Sequence, residues 1–128
     1  MNKSISNYYL ENEDCLVIVV EGYICVDNIS ENIVAALTKI KENGISNILF
    51  DCSKLSILEK KCIHWLRTYW YPRAMRLNIS NFYFVEPKSV FGKESIKLMN
   101  NTEGLNEHNL HYTKSLVEGM QTIKADQS

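Results

Sequence analysis

"NILFDCSKLSIL", residues 47–58, is the stretch on which the reading of the whole chain turns. Its first half, Asn47 to Cys52, is a short apolar run without polar alternation. That is the pattern of a strand covered on both faces, and such strands belong to sheets flanked by helices. Its second half leads into a helix expected from about Leu58 to Tyr71, where Leu58, Cys62, Trp65, Leu66 and Tyr69 fall on one apolar stripe.

Upstream, "DNISENIVAALTKIKENG" sets Ile29, Ile33, Leu37 and Ile40 at helical spacing, with Gly44 as a left-handed stop. Before it, the β-branched "CLVIVVEGYI" predicts a strand of about eight residues, which "ENED" joins as a hairpin to a short strand near "SNYYL". Downstream, "NFYFVEP" is another buried strand ended by Pro87, and Ser89 opens a helix running to about Asn100. "NLHYT" makes a last edge strand, and "SLVE" is a capping box for a terminal helix carrying Leu116, Met120 and Ile123. The order is β-β-α-β-α-β-α-β-α. It predicts one α/β domain over residues 1–128, with a structured core from about 5 to 124 and a four- or five-stranded mixed sheet bearing about four helices.

Composition narrows the function. Hydrophobic residues at 45% and charged residues at 23% are ordinary globular values, and 128 residues suffice for a core without staples. Lys and Arg number 14 against 15 Asp and Glu. A net charge of −1 supplies no field toward nucleic acid or an anionic membrane. No apolar run reaches the length of a signal peptide core or an integral membrane segment, so a cytoplasmic protein is expected. Cys15, Cys25, Cys52 and Cys62 lack metal-binding or paired spacing and read as reduced, mostly buried thiols.

The phrases "VVEGYI", Leu49-Phe50-Asp51, Tyr71 with "PRA" at 72–74, and "PKSVFGKES" at 87–95 together resemble the STAS-like (SpoIIAA-like) fold, in particular small bacterial STAS/SEC14 domain proteins. The likeness runs from about residue 8 to 123. It implies a regulatory module that acts by binding proteins. In anti-sigma-factor antagonists of this fold, a phosphorylatable Ser or Thr, typically after Asp, opens the helix that follows the central strand. There the phosphate gains from backbone N–H groups and the helix dipole. Aligned on these motifs, that pair falls on Glu59 and Lys60, and lysine cannot be phosphorylated in this way. Ser53 and Ser56, just upstream, are the candidate replacements.

"HWLRTYWYPRA", residues 64–74, carries the other candidate site. Trp65, Leu66 and Tyr69 continue the core stripe, whereas Ile63, Arg67 and Trp70 point away from it. Pro72 is expected to kink or end the helix near Tyr71. Arg67, Trp70, Tyr71, Arg73 and Arg76 would then form an aromatic and cationic corner. It would suit a protein partner, a second copy in a homodimer, or a small apolar or anionic ligand. Nucleic acid is not expected, because no second basic strip accompanies it.

Metal and catalytic motifs are weak. His108 and His111 at three-residue spacing in a strand diverge, as do Cys62 and His64 on a helix. Cys52 and the strand-end acids Glu21, Asp51 and Glu86 are the residues an enzyme would use at the sheet's crevice. The expected function is therefore a non-enzymatic binding or regulatory module without metal or cofactor. The alternative is a small-ligand or lipid carrier using the aromatic and arginine corner.

Overall fold

The computed structural model describes residues 4–127. Strand β1 (Ser4–Leu10) turns through a short 3-10 segment (Glu11–Glu13) into β2 (Cys15–Ile24). Helix α1 (Val26–Asn43) follows, then β3 (Asn47–Asp51) and β4 (Leu55–Leu58). A continuous helical stretch comprises α2 (Lys60–Trp65), a π segment (Leu66–Trp70) and α3 (Tyr71–Arg76). The chain continues through β5 (Asn81–Val85), α4 (Val90–Asn100), β6 (Leu110–Thr113) and α5 (Leu116–Gln127).

The sheet order is β1-β2-β3-β5-β6, with β4 paired to β2 alone. β1 and β2 form the expected antiparallel hairpin, and every other pair is parallel. Successive β2 residues face opposite sides. Leu16, Ile18 and Val20 pack with Phe50, Phe82 and Phe84 under α1 to α4, whereas Cys15 and Val17 pack with Leu49, Tyr83 and Val85 under α5. Burial of both faces explains why β3 reads as unbroken apolar sequence.

Local signals explain the helix ends. Gly44 closes α1 in the left-handed conformation at φ 60°, its N–H reaching the Ile40 carbonyl. The Ser89 hydroxyl accepts from the Gly92 N–H and caps α4, and Ser115 does the same for Glu118 at the start of α5.

Two expectations about the elements change. Leu58 is not helical but ends β4, a sixth strand beyond the four or five expected. β4 takes up pairing with Gly22–Ile24 of β2 just past the stretch that β3 pairs, with a register irregularity between Gly22 and Tyr23. Only four residues long, it offers too little alternation to be seen in the sequence. The second change is at Pro72, which does not end the helix near Tyr71, since the helical path runs on to Arg76. In the π segment the Tyr71 N–H bonds the Leu66 carbonyl five residues back, and Pro72, with no N–H to place, sits in the first turn of α3.

That extra residue rotates everything after it. One residue added to a turn sets the helical phase back by about 100°. Trp70 and Ala74, rather than Tyr69, therefore fall in line with Cys62 and Leu66 and enter the core. The expectation that Trp70 and Tyr71 lie on the surface is overturned: both are 0% exposed. Ile63, expected to point away from the core, is buried as well.

Candidate binding site

The corner anticipated at residues 64–76 divides between core and surface. The Trp70 indole N–H donates to the Ile33 carbonyl of α1 at 2.8 Å, and its ring meets Phe50, Tyr71 and Phe82 edge to face. The Tyr71 hydroxyl donates to Asn100 Oδ1 at 2.7 Å. Burial holds the Tyr71 pKa well above the ordinary phenol value.

Trp65 and Tyr69, expected in the core, are half-buried against its edge, and with Arg73 they form a ladder. The two rings stack with centroids 5.2 Å apart, and the Arg73 guanidinium lies 3.6 Å above the Tyr69 ring while donating to the Tyr69 carbonyl. Arginine does stack on an aromatic ring here, but on Tyr69, and the contact is internal. Arg67 is exposed beside an open cleft of about 430 Å³ shared with His64, Pro72, Met75 and Glu103. Arg76 is exposed at the end of α3. The five predicted residues thus do not share one surface.

Glu59 and Lys60 stand at the start of α2, where the motif alignment places them: Glu59 is the N-cap and Lys60 the first helical residue. The Tyr23 hydroxyl donates to Glu59 at 3.1 Å. Ser53 and Ser56 are not at that helix start, because β4 intervenes. The Ser53 hydroxyl donates to Asp51 at 2.7 Å, whereas Ser56 is exposed on β4 and its carbonyl accepts from Ser89.

A second surface, missed in the sequence reading, lies at the first turn of α4. Val90 and Phe91 are 75% and 69% exposed, and Leu98, two turns on, is 51% exposed. Gly92, Ser95, Ile96 and Met99 occupy the inward stripe of α4, so helical periodicity alone turns these apolar residues outward. That periodicity was the available signal.

Three of the four thiols are poor nucleophiles. Cys15 and Cys62 are pushed up to about 12 and Cys52 higher still, in each case chiefly by burial. All four cysteines are free, and Cys25 alone is half-buried. Cys25 should therefore be the thiol labelled by a maleimide in the native protein, with the other three labelled only in denaturant, as intact-mass analysis would show. The raised pKa values also set a pH dependence. Below the ordinary thiol pKa of about 8.5 these groups are protonated in folded and unfolded chains alike. Above it the unfolded chain releases protons that the folded chain retains, so stability falls as pH rises toward 12. Urea midpoints measured across that range should decline, and Cys62→Ala should flatten the slope.

Asp51 is bonded within the turn after β3, Glu21 is half-buried along β2, and Glu86 is exposed after β5. His111 bonds Asn81 and stacks on Tyr83, while His108 is exposed. Among the described residues no three of His, Cys, Asp and Glu converge to hold a metal, and no helix is long and apolar enough to cross a membrane.

No protein-family model matches this sequence, and no curated protein matches it. Solved structures do. The chain is similar to the anti-sigma factor antagonist SpoIIAA in its unphosphorylated form, with a TM-score of 0.61, 12% identity, and 98% of this chain and 99% of that one covered. It is also similar to an uncharacterised DUF3478-family protein with a SpoIIAA-like fold from Shewanella loihica, with a TM-score of 0.58, 11% identity and 96% of each chain covered. The chain therefore has the SpoIIAA-like, STAS-like fold.

Proposed function

We propose that this domain is a non-enzymatic regulatory module that works by binding another protein through the surface where α2 and α4 begin. The observation that carries the reading is the adjacent pair Val90 and Phe91, both more than two-thirds exposed. An apolar pair in that state gains most from burial against a partner. The pair is held rigidly. The Ser89 hydroxyl caps α4 and donates to the Ser56 carbonyl of β4, while the Ser95 hydroxyl accepts from the Leu58 N–H. The likeness to an antagonist of anti-sigma factors supports a protein partner. Ser56, exposed on β4 beside Ser89, is the serine a kinase would reach first, and phosphopeptide mapping that finds neither Ser53 nor Ser56 modified would remove that element.

Replacing Phe91 with a photo-crosslinking phenylalanine should trap a discrete adduct in the native cell extract, and the same group at exposed Val117 should not. An adduct twice the chain's mass would make the partner a second copy and support a homodimer. Absence of any adduct from position 91 would overturn the reading. The carrier alternative based on the aromatic corner loses Trp70 and Tyr71 to the core.

A further inference from the structure

A cleft of about 760 Å³ opens between α4 and the edge strand β6, within the range of about 300–1,000 Å³ usual for small-molecule sites. It shares Leu98 with the exposed apolar face of α4, but Val90 and Phe91 do not line it, and it does not depend on the assignment of a protein partner. Its apolar lining comes from Pro87, Ile96, Leu110 and the Tyr112 ring, which stacks on Phe84 at 5.7 Å.

The polar groups at the cleft have a fixed direction. Tyr71 is fully buried, and its hydroxyl proton needs an acceptor. Asn100 Oδ1 supplies it at 2.7 Å, which commits the Asn100 amide nitrogen to the Tyr112 oxygen at 3.0 Å. Tyr112 is thereby the acceptor in its bond with Asn100, and its own proton is left to donate into the cleft. Asn100 is 8% exposed, so this arrangement is built in from the core and is not an accident of a mobile surface side chain.

Lys93 and Lys97, one turn apart on α4, add positive charge, and Glu86 and Glu94 add negative. None of the four makes an ion pair among the described residues. With two charges of each sign the cleft has no net charge, which disfavours a polyphosphate and leaves any single carboxylate to be held by local donors, the Tyr112 hydroxyl and a lysine.

We propose that this cleft binds a small monocarboxylate with an apolar body, the carboxylate accepting from the Tyr112 hydroxyl and from Lys97, the body lying on Leu110, Ile96 and Pro87. The probes are phenylacetate and its neutral isostere phenylacetamide, titrated into the isotopically labelled protein while backbone amide shifts are followed. Phenylacetate should give saturable shifts confined to residues 86–88, 93–101 and 110–113. The amide should bind about tenfold more weakly, the value of one charge-assisted hydrogen bond. Tyr112→Phe keeps the ring on Phe84 and should weaken phenylacetate about tenfold. Lys97→Gln, an exposed change that leaves the fold intact, should weaken the acid and leave the amide unaffected. Equal binding of acid and amide, shifts that map elsewhere, or no saturable shift with phenylacetate or hexanoate would overturn the proposal. None of these outcomes bears on crosslinking at position 91.

Discussion

Replacing Trp70 with alanine should remove most of the domain's folding stability. Truncating a buried Trp typically costs about 3–5 kcal/mol, and the indole N–H bond to the Ile33 carbonyl, a second bond to a group that keeps its helical partner in α1, is lost as well at about 0.5–1.5 kcal/mol. Against a total of about 5–15 kcal/mol for a domain, the variant should be partly unfolded at room temperature by circular dichroism and urea titration. Trp70→Phe keeps ring contacts with Phe50 and Phe82 and loses the hydrogen bond, so it should fall between. Arg67→Ala, on the exposed side of the same π segment, should change stability by less than about 0.5 kcal/mol. A Trp70→Ala protein as stable as Arg67→Ala would mean that the indole is not in the core.

The second large effect is expected at Gly92. A methyl group there would stand 2.7 Å from the Leu55 carbonyl oxygen and 2.8 Å from Pro87 Cβ. Neither can move cheaply, because one is strand backbone and the other a ring locked to the chain. Gly92→Ala should therefore push α4 off β4 at a cost of about 1–3 kcal/mol or more. Gly119→Ala is the informative comparison. Its nearest obstacle, at 2.7 Å, is the end of the Leu49 side chain, which can change rotamer, so the loss should be smaller. Thermal unfolding of the two variants side by side should show the difference. If Gly92→Ala were the milder change, the close contact between α4 and β4 would not exist.

Strand and helix order was legible in the sequence because long apolar runs and strong caps carry it. β2, the Gly44 end of α1 and the Ser89 start of α4 all form where their residues indicate, whereas α1 begins at Val26 with Cys25 as its cap. β4 was not legible, since in four residues only Leu55 and Leu58 reach the core. The candidate site was read less well, for one physical reason. A helical wheel assumes a constant angle per residue, and Leu66–Trp70 depart from it. Arg67, upstream of most of the offset, is exposed as expected, whereas Trp70 and Tyr71, downstream of it, are not. The Val90 and Phe91 surface was readable from periodicity, but apolar residues beside a cap look like core until the inward stripe has been counted.

The π segment also governs how this chain can be set beside its structural relatives. It acts on the helix as an inserted letter acts on a reading frame, shifting the meaning of each later position without altering its spelling. A relative whose corresponding helix is α throughout would reach the same fold with one residue fewer between Leu66 and Trp70. An ungapped alignment with such a chain would pair core with surface from Trp70 to Arg76. One gap placed in those five positions would restore the correspondence, and part of the apparent divergence of this region would then be bookkeeping.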